Sequence, residues 1–165
     1  MDRHSYLVAL GSNVRHHRYG SPRKVLRAAI EALKSEHFEI EAVSPVIETA
    51  PLGHSRRRYA NAAALVRTSR SPDEALQVLA AIERRFGRRP GGRAWRARVL
   101  DLDLILWSGG PWTSDDLVVP HPAFRQRGFV LTPASRIAGL WRDPLTGLTL
   151  KQLHTRLTKP RPVRR

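Results

Sequence analysis

The 165-residue sequence contains no cysteine, which excludes disulfide bridges and thiolate metal sites and suits a reducing cytosol. No apolar run approaches the roughly 20 residues that a membrane-spanning helix needs, and Met1 to Tyr6 is polar and charged, so we expect a cytoplasmic protein. Carboxylates are scarce: 14 Asp and Glu stand against 29 Lys and Arg, a formal charge of +15. A field of that sign attracts polyanions, whether nucleic acid, an anionic membrane surface or a nucleotide triphosphate, and charge does not choose among them. Part of the excess lies in Lys159 to Arg165, so we expect one domain over residues 1–157 and a disordered basic Pro and Arg tail over 158–165. With 41% hydrophobic residues, the chain has enough apolar side chains for a single globular core.

Because acidic residues are few, the stretch Val99 to Trp107 stands out, Val-Leu-Asp-Leu-Asp-Leu-Ile-Leu-Trp. Alternation predicts a strand with Leu100, Leu102, Leu104 and Leu106 on one face and Asp101 and Asp103 on the other, the two carboxylates roughly 6 to 7 Å apart at the backbone. Adjacent carboxylates repel, and that repulsion is tolerable only with a positive group between them, an arginine or a hard cation. Mg²⁺ fits, since it accepts one or two carboxylates and completes its shell with water and substrate phosphates. By itself an Asp-x-Asp pair is a weak signal, equally at home on a solvated or arginine-paired face.

The rest of the chain supplies the context. Ser5 to Leu10 reads as a buried strand running into a turn at Gly11-Ser12-Asn13, where glycine permits close backbone approach. Ser21-Pro22 opens a helix with the apolar stripe Val25, Leu26, Ala29, Ile30 and Leu33. Phe38, Ile40 and Ala42 alternate, and the segment through Val46-Ile47 reads as a strand bent near Pro45. Tyr59 to Thr68 reads as its partner. Ser71-Pro72-Asp73-Glu74 is a capping box for a helix with Leu76, Leu79, Ala80, Ile82, Glu83 and Phe86 at helical spacing, stopped by Gly87. A basic, glycine-containing loop, Arg88 to Ala97, leads into the aspartate strand. Strand, helix, two strands, helix, strand is the ferredoxin-like order, so the fold class is α+β, a βαββαβ core with helices on a mainly antiparallel sheet. Further elements follow, a short helix over Val130 to Ala138, a turn at Asp143 to Gly147 and a last helix over Leu150 to Leu157.

Four stretches occur in an order that resembles one family: Leu10-Gly11-Ser12-Asn13; Thr49-Ala50-Pro51-Leu52-Gly53 with Tyr59-Ala60-Asn61; Arg98-Val99-Leu100-Asp101-Leu102-Asp103; and Val119-Pro120-His121 with Arg127-Gly128-Phe129. Together they resemble the 6-hydroxymethyl-7,8-dihydropterin pyrophosphokinases, which move a diphosphate from ATP to a pterin alcohol in folate biosynthesis. The resemblance covers Tyr6 to Leu157. It implies that Asp101 and Asp103 are magnesium ligands, holding two Mg²⁺ ions with ATP as co-substrate. It further implies that Asn61 hydrogen-bonds the pterin, that Tyr59 and Phe129 sandwich it, and that Thr49, Pro51 and Leu52 meet its edge. Glu83, Trp95, Arg98, Leu104, His121 and Arg127 match nucleotide-site positions, and Arg88 and Arg98 match basic catalytic residues.

The sequence departs from the family pattern in the loop before the aspartates. Where the family runs a basic residue, Trp, Gly, Pro and Arg, this chain has Ala94-Trp95-Arg96-Ala97-Arg98, and Pro90 stands where an arginine is usual. Arg89, Arg93 and Arg96 are candidates to supply that charge from shifted positions. Two other readings stay open, a pyrophosphokinase paralogue with altered catalysis and a basic RNA-binding domain, although the aromatic strand signatures of an RNA-recognition domain are absent. His16, His17, His54 and His154 lack ligand spacing, so no zinc site is assigned.

Overall fold

The computed structural model describes residues 2–49, 57–87 and 98–163. Strand β1 (His4–Ser12) is apolar along most of its length, a pattern that needs cover on both faces, and it occupies an interior position of the sheet. It pairs antiparallel with β4 (Tyr59–Thr68) on one side and β5 (Asp101–Trp107) on the other. Along the far edge of β4 run β2 (Glu39–Val43) and β3 (Ile47–Thr49), interrupted at Ser44-Pro45-Val46. There Ser44 Oγ accepts the Ala63 N–H at 2.9 Å while the Ser44 N–H donates to the Ala63 carbonyl at 2.9 Å, so the ladder is kept across the bend. With α1 (Pro22–Ser35) and α2 (Pro72–Arg85) as crossovers, the order β2-β4-β1-β5 is the expected ferredoxin-like arrangement. No helix among the described residues is long and apolar enough to cross a membrane.

Both crossover helices begin as their sequences direct. Ser21 Oγ accepts the Lys24 N–H and Ser71 Oγ accepts the Glu74 N–H, each with proline in the first turn. At the other end of α2, Gly87 takes φ +103°, a left-handed value that glycine adopts without strain. The buried stripe of α2 is Ala75, Leu79, Ile82 and Glu83, and Leu76 is only partly buried.

Each face of the sheet has its own apolar core. On one, Tyr6, Val8, Leu10, Ala62, Ala64, Val66, Leu100, Leu102 and Leu104 pack under α1 and α2. On the other, Leu7, Ala9, Ala63, Ile105 and Leu106 pack under a 3-10 turn (Phe124–Gln126), α3 (Gly128–Ala138) and α4 (Leu150–Thr158). The regular leucine alternation expected in β5 therefore fails at its end. Leu7 pairs with Leu106 and Val8 with Leu104, so Ile105 is an extra residue in a bulge, and Leu106 joins the opposite core from Leu104. Two further departures are minor. β1 runs through Gly11 and Ser12 where a turn was expected, and β6 (Trp112–Thr113) with β7 (Val118–Val119) forms a small hairpin that the sequence did not announce.

The second layer is pinned by one ion pair. Arg125 Nε and Nη2 donate to Asp143 Oδ2 and Oδ1 at 2.6 and 2.8 Å, and Asp143 is fully buried. The same carboxylate accepts from Thr146 Oγ1 at 2.7 Å and the Leu145 N–H at 3.1 Å, so it organises the turn that leads to α4. Burial pushes the Asp143 carboxyl up, but the bonds from Arg125, Thr146 and Leu145 outweigh it and hold it below the usual carboxylate range. Asp143→Ala, which strands the Arg125 charge, is expected to lower the unfolding free energy by about 3 to 5 kcal/mol in urea titrations. Because the folded carboxyl is the stronger acid, its stabilisation is complete above the unfolded value of about 3.9 and is lost as pH falls through the folded one, so the gap between wild type and variant closes in acid.

Candidate functional site

The two cores leave one end of the second sheet face polar. Across it the register places Asn61 of β4, Gly11 of β1 and Asp101 of β5 in a single row, with Ala63, Ala9 and Asp103 in the next row on that face. Gly11 is the reason the first row works. A Cβ built there would lie 3.2 Å from Asn61 Oδ1 and 3.9 Å from Asp101 Cβ, so any side chain would fill the space between the amide and the carboxylate. Asn61 is buried, and its Nδ2 donates to Thr49 Oγ1 at 3.1 Å, which fixes the plane of the amide.

The expected positive group beside the aspartates is Arg98. Its Nη1 donates to Asp101 Oδ1 at 2.8 Å, and that bond raises the guanidinium pKa, against burial and with added attraction from Asp101, Tyr59 and Asp103. Tyr59, which opens β4, thus lies within electrostatic reach of both carboxylates' arginine. Asp103 acts on a second group. Burial lowers the His121 imidazole and Arg127 lowers it further, while the Asp103 carboxylate opposes them. His121 Nδ1 accepts the Ala123 N–H at 3.2 Å, which leaves the proton of the neutral ring on Nε2 as a donor. The His121 N–H is itself tied to the Ile105 carbonyl at 3.0 Å, so β5 carries both the carboxylates and the imidazole. Arg127 caps α3 and its guanidinium lies 5.6 Å from the Phe129 ring centre.

Hydrogen bonds join Thr49 to Asn61 and Arg98 to Asp101, the register sets Asn61 and Asp101 on either side of Gly11, and Tyr59 acts electrostatically on Arg98; Asp103 and Arg127 act likewise on His121, and Arg127 lies over the Phe129 ring. Two expected site residues belong to the other layer. Leu104 packs in the core beneath α1 and α2, so it has only its main chain to offer a ligand, and Glu83 is buried in the last turn of α2. Pro51, Leu52, Arg88 and Trp95, with Arg89, Arg93 and Arg96, lie outside the described residues. The sequence reading missed Asn13 as a side chain with a task, and the Arg125–Asp143 pair behind Arg127. Asn13 had a signal, since it ends the Leu10-Gly11-Ser12-Asn13 motif.

Among the described residues, no cluster of three or more His, Asp and Glu is built to cage a transition metal. Two partly exposed carboxylates on one strand face suit instead a hard cation that draws its remaining ligands from water and phosphate. The His121 assignment is checked by following its ring protons in an NMR pH titration. The midpoint should lie below that of an ordinary histidine, rise in Arg127→Ala as a repelling charge is lost, and fall in Asp103→Asn as an attracting one is lost.

Residues 7–139 match the model of the family described as 7,8-dihydro-6-hydroxymethylpterin-pyrophosphokinase (HPPK). A 2-amino-4-hydroxy-6-hydroxymethyldihydropteridine pyrophosphokinase of Synechocystis is 37% identical over 151 residues, covering 91% of this chain and 74% of the relative. The enzyme of the same name from Bacillus subtilis is 35% identical over 133 residues, covering 79% of this chain and 75% of its own. The fold is shared with the Plasmodium falciparum HPPK-DHPS crystallised with pteroate, at a TM-score of 0.74 and 11% identity, where 94% of this chain spans 44% of that longer one. On these matches, the chain belongs to the HPPK family.

Proposed function

We propose that this chain transfers a diphosphate from ATP to 6-hydroxymethyl-7,8-dihydropterin, releasing AMP, as a step of folate biosynthesis. The observation that carries the reading is the row Asn61, Gly11, Asp101 with Arg98 against Asp101, which sets an amide that both donates and accepts beside a carboxylate–guanidinium pair. In the reaction the hydroxymethyl oxygen bonds to the β-phosphorus and loses its proton, while the bond from that phosphorus to the α-phosphate oxygen breaks and AMP leaves. Such a transfer needs alignment and charge neutralisation more than covalent help.

Asp101 and Asp103 would hold Mg²⁺, two ions in this reading. When bound, that metal spreads the charge of the triphosphate. The chain's own groups supply the rest. Asn61, oriented by Thr49, reads the hydrogen-bonding edge of the pterin, and Tyr59 and Phe129 offer flat faces to the bicycle. His121, neutral and donating through Nε2, and Arg127 face the nucleotide, and Arg98 balances charge at the reacting end. Pro51, Leu52, Arg88 and Trp95 complete the site in this proposal, as do the main chain of Leu104 and the carboxylate of Glu83. Family membership favours this reading over RNA binding, and the absence of cysteine is compatible with the cytoplasm as the place of reaction.

The test is AMP release from ATP, Mg²⁺ and the pterin alcohol. Asp101→Ala and Asp103→Ala should each lower turnover by about 10²- to 10³-fold while thermal melts stay cooperative; near-normal rates in saturating Mg²⁺ would remove both from the site. For Asn61→Ala, calorimetry should show pterin binding weakened about tenfold or more with nucleotide binding unchanged. Equal loss of both ligands would mean that Asn61 supports the fold instead.

A further inference from the structure

We infer that Asn13 is a positioning residue, a clamp on the main chain of Arg98 that sets where the arginine stands for the transfer step; the inference rests on the function proposed above. Asn13 lies just past the end of β1, two residues beyond Gly11, and is 5% exposed. It holds Arg98 twice, its side-chain Oδ1 accepting the Arg98 N–H at 2.7 Å and its own N–H donating to the Arg98 carbonyl at 3.1 Å. These contacts bridge 85 positions of sequence. They fall where the chain re-enters the sheet, three residues before Asp101, ahead of the first β1–β5 pair at Gly11 and Asp101.

The physical need is plain. Arginine carries a long side chain with high rotamer entropy, and a bond to a partly exposed carboxylate does not by itself define where its fork stands. The Arg98 guanidinium is 33% exposed, and its Nη1 bonds Asp101 Oδ1. Fixing both the N–H and the carbonyl of Arg98 reduces the problem to the side chain alone. The Asn13 clamp therefore ties Arg98 to the same strand that separates Asn61 from Asp101, so that amide, carboxylate and guanidinium share one frame. An Asn→Asp exchange keeps the acceptor for the Arg98 N–H, whereas Asn→Ala leaves only the weaker main-chain contact.

Three measurements on the full chain test this. Amide hydrogen exchange at Arg98, followed by NMR without ligands, should quicken at least about tenfold in Asn13→Ala and stay close to wild type in Asn13→Asp. In the AMP-release assay Asn13→Ala should lower kcat by about 10- to 100-fold with the KM for ATP and pterin within about threefold of wild type, and Asn13→Asp should recover most of that loss. In the Arg98→Ala background, Asn13→Ala should have little further effect on kcat, since both changes act through the same guanidinium. If Asn13→Ala fails to fold, Asn13→Ser is read by the same criteria. Unchanged exchange at Arg98 overturns the clamp. A quickened exchange with normal kcat, or an equal fall in kcat when Arg98 is already alanine, overturns the positioning role. Absence of AMP from the wild type overturns the proposed reaction and the catalytic purpose given to Asn13, while the exchange result still decides whether the clamp exists.

Discussion

A central strand with no side chain at one position is the constraint on which this site depends. β1 is hemmed by β4 and β5, and from Tyr6 to Leu10 everything it projects is buried in one core or the other. At Gly11 the missing Cβ opens a gap between Asn61 and Asp101, with 3.2 Å to the amide oxygen as the closest approach of a hypothetical methyl. Two polar groups from different strands can then serve one ligand. Hydrogen bonding within the sheet sets the spacing of the strands, so the gap is as rigid as the ladder that frames it.

Charge placement follows the same economy. A chain of net charge +15 places both β5 carboxylates on one polar sheet end and surrounds them with Arg98, His121 and Arg127. Arg98 is bonded to Asp101 and also feels Asp103, which in turn acts on His121 beside Arg127. His121 and Arg127 rest on the helical layer behind them. Arg125, two residues before Arg127, is locked to the buried Asp143, which also shapes the turn into α4. The C-terminal elements thus cover an apolar sheet face and anchor the 3-10 turn that leads into α3.

Asn13 extends that logic to the start of β5. Its bonds to the Arg98 main chain tie to β1 the arginine that leads into β5, beside the Asn61 and Asp101 positions that pair with Gly11. The family to which the chain belongs carries pterin and diphosphate chemistry in its name, and this end of the sheet has the mixed character such chemistry asks of a protein. In the proposed reaction a fixed amide and aromatic faces would meet the flat heterocycle, and carboxylates with cations would meet the polyphosphate.

Local pattern was enough to determine the strand and helix order, the caps at Ser21 and Ser71, the stop at Gly87 and the opposed faces of Leu102 and Asp103, because each depends on residues within a few positions. The ordered motifs nominate Asp101, Asp103, Asn61, His121 and Arg127 as site residues, and the role of each is a proposal. Tertiary structure alone decided the rest. The Ile105 bulge that turns Leu106 to the other core arises from register against β1, and the burial of the Leu104 side chain away from the polar face depends on α1 and α2. Asn13 meeting Arg98 and Arg125 meeting Asp143 are long-range pairings, and nothing in the separate segments specifies them. Sequence sets which side chains each element presents, but only closure of the sheet and packing of its two layers determine which of them touch.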